Sequence, residues 1–303
     1  MSISHGTGPA RELGGRELAA SIRAEVADRA AALAAAGRPP RLAVVTATTD
    51  EGSAWYVRSL ERAATKAGIA CDVTDLSYVA PAAAVSGIRG TLAALNGNPV
   101  VHGVLLQTPL PGGVRLPGGA PLPGGARLAA LAGGIDPAKD VDGANPVSLG
   151  RLMTGLPAFA PATAAAVLAL LDHHGVALSG RRAVVVGRSS VVGKPVAQLL
   201  LARDATVTVC HSRTADLAAV TSSAEILVVA AGRAGLIGPG FVAPGAVVVD
   251  VGTNATADGG MVGDVDPAVA PVAGALSPVP GGVGPVTTAM LLRHVVEAAD
   301  RAG

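Results

Sequence analysis

Short apolar runs and longer amphipathic stretches alternate along the chain. The apolar runs are rich in Val, Ile and Leu, which is typical of strands buried on both faces of a parallel sheet. The Ala- and Leu-rich stretches with spaced Arg and Glu predict the intervening helices. In the first half, the pattern predicts strands at 41–46, 70–74 and 100–106 and helices at 16–36, 53–67 and 81–95. This rhythm predicts an open parallel sheet, whose ligands collect at the carboxyl ends of its strands.

Two features of the first half bear on a site. Ser53 is predicted to be the N-cap of the second helix, and Gly68 is predicted to end it. Gln107 directly follows the third predicted strand, so it stands at the carboxyl edge of the sheet.

The Gly- and Pro-rich run 109–134 shows no pattern of a packed element, and we interpret it as a tolerated loop insertion.

The second half contains a strand, a Gly-containing turn and a helix in succession. The strand 183–186 ends at Gly187, and a helix pattern runs over 195–201, with G-R-S-x-x-x-G-x-P across the turn. This order is typical of the opening of a βαβ nucleotide-binding unit, in which the amide groups at the helix start are free to bind a phosphate. Further strands are predicted at 225–231 and 246–251, and helices at 162–174 and 286–299.

The next strand, 206–210, indicates which dinucleotide the unit prefers. An NAD-binding fold usually places Asp or Glu about 20 residues after the Gly-rich turn, to bind the ribose 2′-hydroxyl. Here the strand leads into His211, Ser212, Arg213 and Thr214, without a carboxylate. Hydroxyl and guanidinium groups suit a 2′-phosphate, and Arg188 could supply a second guanidinium group that donates paired hydrogen bonds to it. We therefore predict NADP, although these residues alone are also compatible with an ordinary polar loop.

Bulk properties restrict the class of protein. The 303 residues exceed one ordinary core and indicate two domains with an aliphatic interior, because aromatic residues make up 2%. A net charge of +1 gives no reason to propose nucleic acid or a membrane surface as partner. No signal-peptide pattern and no apolar stretch of membrane-spanning length are found. Two distant cysteines indicate reduced thiols without metal-type spacing, so a cytoplasmic α/β enzyme is expected.

Several segments, in this order along the chain, resemble one family: the bifunctional methylenetetrahydrofolate dehydrogenase/methenyltetrahydrofolate cyclohydrolases of one-carbon metabolism. KDVDG at 139–143 and PVPGGVGP at 278–285 are its most specific motifs in this chain. The resemblance covers roughly residues 10 to 300. The other matching segments are SAWYV at 53–57, VLLQTPLP at 104–111, the 187–195 turn, CHS at 210–212 and VDVG at 249–252.

The resemblance implies two open parallel-sheet α/β domains with an active cleft between them. Residues 1–157 would form the folate-binding catalytic domain, to which the C-terminal helix 286–303 returns, and residues 158–285 a Rossmann-like NADP-binding domain. A homodimer is implied as well. The implied cofactor-binding residues are Gly187, Arg188, Ser189, Gly193, Pro195, His211, Ser212, Arg213, Gly252 and Thr253. The implied substrate-binding residues are Ser53, Tyr56, Gln107, Asp142, Pro280, Gly281 and Gly282.

Tyr56, Gln107 and Asp142 are the catalytic residues that the resemblance implies. A carboxylate at Asp142 can accept paired N–H donors from the aminopyrimidine edge of a pterin. Tyr56 can stack on the folate ring while its hydroxyl orients the reacting carbons. Simpler interpretations remain open: Tyr56 as half-buried packing, Asp140 as a turn residue that fixes the Asp142 loop, and the Gly281–Gly282 pair as loop-shaping residues.

Position 60 departs from the family pattern. The family has Tyr followed four residues later by Lys, one helical turn along and on the same face, and this Lys is its principal acid/base group. Here the residue four after Tyr56 is Leu60, which has no proton to exchange. Arg58 and Lys66 lie on other faces of the same helix, Lys66 by about 120°. The family's P-C-T-P is also altered, to Pro-Ala-Thr-Ala at 161–164.

Three hypotheses follow. The first is an NADP-dependent dehydrogenase whose cyclohydrolase activity is weak or lost, which we favour because hydride transfer needs no obligatory proton transfer whereas hydrolysis does. The second is the full bifunctional enzyme, in which water or Lys139 replaces the missing base. The third is a non-catalytic folate- or NADP-binding paralogue.

Overall fold

The computed structural model describes residues 10–79, 81–110, 124–256 and 258–303. We number strands and helices in chain order. The strands are β1 (Arg11–Glu12), β2 (Arg41–Thr46), β3 (Ala70–Asp75), β4 (Gly103–Leu106), β5 (Arg182–Val186), β6 (Thr206–Cys210), β7 (Ile226–Val229), β8 (Val247–Asp250), β9 (Asn254–Ala255), β10 (Met261–Val262) and β11 (Ala275–Leu276). The helices are α1 (Arg16–Ala35), α2 (Glu51–Lys66), α3 (Pro81–Gly97), α4 (Gly124–Ala132), α5 (Pro146–Met153), α6 (Ala162–His173), α7 (Gly193–Leu201), α8 (Leu217–Thr221) and α9 (Val283–Arg301).

The chain divides into two compact units. The six-stranded unit comprises the chain up to Ala19 and Thr163–Thr287, and the three-stranded unit comprises Ala20–Ala162 and Thr288–Gly303. Both are α/β units with parallel sheets, as the hydrophobic pattern predicts. None of the described helices is long and apolar enough to cross a membrane.

The three-stranded unit is built on a parallel sheet of order β3-β2-β4. Its central strand β2 is almost entirely buried, which explains its continuous apolar sequence. Helix α2 buries one stripe, formed by Ser53, Val57, Leu60 and Ala64. This helix follows β2 and ends just before β3, as in a βαβ crossover.

The six-stranded unit carries a parallel sheet of order β1-β11-β8-β7-β5-β6. Strands β9 and β10 form a separate antiparallel pair. Strand β1 pairs with β11, so the sequence before α1 belongs to this sheet. The predicted boundary instead assigned residues 1–157 to one domain. Two-residue strands have no hydrophobic period, and the pattern of the sequence therefore could not reveal this pairing.

Two local expectations require correction. Helix α2 begins at Glu51, and its N-cap is Asp50, whose carboxylate accepts hydrogen bonds from the Ser53 amide at 2.7 Å and the Ser53 hydroxyl at 2.8 Å. The sequence pattern predicts an unpacked loop over 109–134, but α4 occupies 124–132 and buries Leu128 and Leu131. Its Ala-rich segment has high helix propensity and supplies these two side chains to the core. Residues 111–123 of the run lie outside the described residues.

Candidate active site

Helix α2 positions both Tyr56 and Leu60. Tyr56 is half-buried at the border of the buried stripe, whereas Leu60 is 0% exposed. The Thr288 side chain of α9 faces the Tyr56 hydroxyl closely enough to lower the pKa of that phenol. Thr288 is a site residue that the sequence reasoning missed; a Thr in a predominantly apolar helix is a weak signal for such a contact. The structure thus places Leu60, the substituted position, in the aliphatic core.

Ser53 and Gln107 meet at one backbone carbonyl. The Ser53 hydroxyl shares its single hydrogen between the Asp50 carboxylate and the Thr108 oxygen, which lies 2.9 Å from it. The Gln107 side-chain amide donates to the same Thr108 oxygen at 2.7 Å. The Gln107 backbone amide donates to the Val45 oxygen at 2.8 Å, at the carboxyl end of the sheet. The predicted substrate residues on α2 and after β4 are therefore joined through the Thr108 carbonyl.

Asp142 lies in a tight turn that is held by its neighbours. Asp140 is fully buried, and its carboxylate accepts hydrogen bonds from the amides of Ala144 at 3.0 Å and Asn145 at 2.9 Å. Gly143 has φ +63°, and a Cβ there would lie 2.6 Å from the Phe159 oxygen, so only glycine fits. Asp140 thus acts as the turn residue that supports the Asp142 loop, one of the interpretations left open above.

Tyr56 and Asp142 are electrostatically coupled. Desolvation, followed by the charge of the Asp140 carboxylate, raises the pKa of Asp142 to about 7, although the Ala162 amide opposes both effects. Burial and then the Asp142 charge raise the pKa of Tyr56, while the contact with Thr288 lowers it. Tyr56 is consequently a neutral phenol, and Asp142 changes its charge near neutral pH. The three-stranded unit therefore brings the predicted Tyr56 and Asp142 into one electrostatic environment.

Lys139 does not replace the missing lysine. Its Nζ donates to three carbonyl oxygens at the carboxyl end of α3: Leu95 at 3.0 Å, Asn96 at 2.8 Å and Asn98 at 2.7 Å. An ammonium group at this end of a helix satisfies carbonyls that have no helical partner and interacts favourably with the helix dipole. All three ammonium hydrogens are used in this cap. Lys139 is thereby assigned a structural role.

The loop residues Pro280, Gly281 and Gly282 belong to the six-stranded unit. The Gly281 oxygen accepts a hydrogen bond from the Gly15 amide at 2.8 Å, and the Gly282 amide donates to the Pro278 oxygen at 2.8 Å. These contacts fix the loop against the segment that precedes α1. Together with Arg16 and His174, Pro280 and Gly281 line a cleft of about 540 Å³.

The predicted nucleotide turn lies at the carboxyl ends of three adjacent strands. The Gly187 amide donates to the Cys210 oxygen at 2.9 Å, so the turn is next to the end of β6. A Cβ on Gly187 would lie 2.2 Å from the Ala230 oxygen, and one on Gly193 would lie 2.2 Å from the Gly187 oxygen. Both positions require glycine because backbone passes too close for a side chain. Arg188 and Ser189 are exposed on this compact turn.

The start of α7 differs from the expectation. The Ser189 hydroxyl accepts hydrogen bonds from the amides of Val192 at 3.2 Å and Gly193 at 3.3 Å. The Lys194 amide donates to the Ser189 oxygen at 3.1 Å, and Pro195, which is buried in the first turn of α7, has no amide hydrogen. The helix-start amides are therefore engaged by Ser189 rather than free for a phosphate. Sequence spacing does not reveal this, because any serine in the turn could face outwards.

The loop after β6 presents cationic and hydroxyl groups. Ser212 and Arg213 are exposed, and the His211 ring accepts a hydrogen bond from the Arg213 amide at 3.2 Å. The first carboxylate of this segment is Asp216, whose side chain accepts from the Ala219 amide at 3.1 Å and caps α8. The loop therefore fits a 2′-phosphate better than a 2′-hydroxyl.

Two buried carboxylates organise the loops after β7 and β8, and the motif analysis missed their role. Asp250 accepts hydrogen bonds from the amides of Gly252 at 2.9 Å and Asp264 at 3.0 Å. Asp264 is 0% exposed and holds the loop that follows β7. Its carboxylate accepts from the amides of Ala231 at 2.7 Å, Gly232 at 2.8 Å and Arg233 at 2.8 Å and from the Asn254 side chain at 2.9 Å.

We expect Asp264→Asn to loosen the loop that follows β7. An amide has one acceptor oxygen, and its NH₂ group would face backbone donors, so buried donors lose their partners at about 1–3 kcal/mol each. Hydrogen exchange should accelerate in residues 231–233, and the melting temperature should fall. Asp258→Asn, in an exposed turn, is the matched control. Unchanged protection of 231–233 in Asp264→Asn would contradict this role.

Comparisons with known proteins identify relatives of both units. Residues 13–117 match the family profile described as tetrahydrofolate dehydrogenase/cyclohydrolase, catalytic domain, and residues 161–303 match the profile of its NAD(P)-binding domain. The chain is 58% identical over 300 residues to Bifunctional protein FolD 1 of Saccharopolyspora erythraea, covering 99% of this chain and 97% of that protein. It is 61% identical over 290 residues to Bifunctional protein FolD 1 of Rhodococcus jostii, covering 95% and 93%.

The chain is also similar to solved structures of methylenetetrahydrofolate dehydrogenase/cyclohydrolases. The bifunctional FolD methylenetetrahydrofolate dehydrogenase/cyclohydrolase of Campylobacter jejuni has a TM-score of 0.88 and 36% identity, covering 96% of this chain and 99% of that chain. The methylenetetrahydrofolate dehydrogenase-cyclohydrolase of Trypanosoma brucei, solved with NADP cofactor and inhibitor, has a TM-score of 0.87 and 34% identity, covering 97% and 98%.

Proposed function

Because this chain belongs to the tetrahydrofolate dehydrogenase/cyclohydrolase family, we propose that it oxidises 5,10-methylenetetrahydrofolate with NADP and has weak or no cyclohydrolase activity. The family resemblance inferred from the motifs is confirmed by both profiles, and the α/β fold class is confirmed by the parallel sheets. The proposed enzyme is cytoplasmic and homodimeric, as the resemblance implies. Its substrate is a folate, and the proposal concerns which of two reactions it performs.

The oxidation step requires positioning rather than proton transfer. When bound, NADP accepts a hydride at its nicotinamide C4. The hydride leaves the bridging carbon of the substrate, and the resulting cation is delocalised over two folate nitrogens. Asp142, in its ionised form, would accept the aminopyrimidine N–H groups, and the neutral Tyr56 phenol would stack against the folate ring. Gln107, held by the Thr108 carbonyl, would orient the substrate at the end of the sheet.

The hydrolysis step requires an acid/base group, and position 60, where the family has Lys, carries Leu in this chain. Water adds to the methenyl carbon and loses a proton, and the C–N bond then breaks as its nitrogen gains a proton. A positioned acid/base group typically contributes about 10²–10⁴-fold to such a step. The observation that carries the proposed loss is Leu60, a fully buried aliphatic side chain one turn after Tyr56. The commitment of Lys139 to the end of α3 supports it further, because the nearest alternative amine in the motif is engaged.

NADP binding by the six-stranded unit yields a test of Arg213. We expect Arg213→Ala to raise the Kd for NADP about 10- to 100-fold by removing charged hydrogen bonds to the 2′-phosphate. The Kd for NAD should change little. Calorimetric titration of both nucleotides without folate measures these values, and Arg203→Ala, which removes an exposed pair with Asp172, is the control. An equal rise of the Kd values for NADP and NAD would show that Arg213 does not bind the 2′-phosphate.

Direct hydrolysis of supplied methenyltetrahydrofolate tests the proposed loss. Without NADP, the protein is mixed with this compound, and the decay of its chromophore is compared with the decay in buffer. Our proposal predicts decay close to that in buffer. Decay accelerated in proportion to enzyme concentration would favour the full bifunctional enzyme, with a water network in place of the base.

A further inference from the structure

His294 is a buried side chain of α9 that contacts the Asp142 turn. It is 6% exposed, and its Nδ1 lies 2.8 Å from the backbone oxygen of Val141. Val141 is the residue between Asp140 and Asp142 in the KDVDG motif. A side chain 153 positions away in the sequence is therefore bonded directly beside the proposed pterin-binding carboxylate.

The partner atom determines the tautomer of His294. A carbonyl oxygen can only accept a hydrogen bond, so Nδ1 must carry the proton and donate it. Burial lowers the pKa of His294, which favours the neutral ring; the bond to Val141 and the charge of Glu297 oppose this, whereas Arg293 and Arg301 add to it. A neutral imidazole with hydrogen on Nδ1 is the consistent state.

Aromatic packing fixes the orientation of the ring. The centroids of His294 and Phe159 are 5.0 Å apart with an interplanar angle of 38°, and the Arg301 guanidinium carbon lies 4.6 Å from the Phe159 centroid. Phe159 also provides the backbone oxygen that passes closest to Gly143. The ring of His294 is thus held on the side of the turn where it can reach Val141.

Each residue that precedes Asp142 in the turn has its own anchor. The Lys139 oxygen accepts from the Val104 amide at 2.8 Å, and the Asp140 carboxylate accepts from two backbone amides. For the Val141 oxygen, the hydrogen bond that the structure gives is the one from His294. We propose that His294 is a positioning residue, which sets the pose of Asp142 toward the folate by holding the Val141 carbonyl; this inference rests on the proposed function.

Two variants of nearly equal shape separate donation from packing. His294→Asn places an NH₂ donor at the position of Nδ1, whereas His294→Leu places a methyl group there. We expect His294→Leu to raise the Kd for tetrahydrofolate about tenfold, the effect of one lost hydrogen bond near the ligand. His294→Asn should restore the Kd to within about threefold of the wild-type value. The Kd for NADP should not change in either variant.

Leu292→Ala is the control for general destabilisation, since Leu292 is 0% exposed on the same helix. It should lower the melting temperature without changing the Kd for tetrahydrofolate. The inference is overturned if His294→Asn and His294→Leu give the same Kd for tetrahydrofolate. It is also overturned if Leu292→Ala weakens the binding of tetrahydrofolate as much as His294→Leu does. If the wild-type protein itself does not bind tetrahydrofolate, the proposed function fails, which is a distinct outcome.

Discussion

Replacing Leu60 by Lys is expected to raise the rate of methenyltetrahydrofolate hydrolysis by about 10²–10⁴-fold. Position 60 lies one turn after Tyr56, so an amine there is on the same helix face. Because Leu60 is fully buried, desolvation would lower the pKa of the introduced amine, and part of it would be neutral and able to accept a proton from water. Hydride transfer should gain far less, since no proton moves in that step.

The same substitution should destabilise the fold. A buried amine in place of a packed Leu costs about 2–4 kcal/mol of the free energy of unfolding. Leu60→Met is the matched control: it keeps the volume, carries no proton and should leave both rates unchanged. The rates of methylenetetrahydrofolate oxidation and of methenyltetrahydrofolate hydrolysis are measured separately for each variant. Denaturation curves confirm that each variant is folded. A folded Leu60→Lys variant without faster hydrolysis would show that position 60 does not limit this reaction.

Replacing Asp142 by Asn is expected to lower kcat/KM for methylenetetrahydrofolate by about 10- to 100-fold. The amide nitrogen of Asn would face the N–H donors of the aminopyrimidine edge and leave them unpaired. In the wild-type enzyme, kcat/KM should rise as the pH increases through about 7, where Asp142 ionises. Steady-state kinetics between pH 5.5 and about 9 measure both effects.

Asp142→Asn should also change stability with a definite sign. Because the pKa of Asp142 is raised to about 7 in the folded protein, the folded state keeps a proton that the unfolded state releases at lower pH. Wild-type stability therefore falls as the pH rises from the ordinary carboxyl range to about 7. The stability advantage of the Asn variant over wild type should therefore be larger at pH about 8 than near about 5. Asp28→Asn, on the exposed side of α1, is the control. An equal difference in stability between variant and wild type at both pH values would contradict a desolvated Asp142.

The sequence predicted the parts of the fold that repeat a simple pattern. The buried strands β2, β4, β5 and β7 are continuous apolar runs, and the pattern of apolar positions along the chain predicts where they lie. The partners of two-residue strands do not: β1 pairs with β11 through a few backbone bonds, which leave no hydrophobic period. Likewise, Asp50 and Ser53 are both good N-cap residues, and only the geometry shows that Asp50 caps α2.

The candidate site was predictable where it depends on motifs and unpredictable where it depends on long-range contacts. Tyr56, Gln107 and Asp142 stand in recognisable segments, and Leu60 is conspicuous only because the family pattern has Lys there. The role of Lys139 depends on carbonyl oxygens of another helix. The contact of His294 with Val141 spans 153 positions. Such pairings are set by tertiary packing and leave no local signal.

The central claim is that this chain oxidises methylenetetrahydrofolate without hydrolysing the product efficiently. A spectral time course of the purified protein with methylenetetrahydrofolate and NADP tests it most directly, because NADPH and the methenyl chromophore can be followed together. We predict that NADPH rises and that the methenyl compound accumulates and decays only at its uncatalysed rate. A rise in NADPH with rapid consumption of the methenyl compound would contradict the account, since a group other than the one missing at position 60 would then perform the hydrolysis.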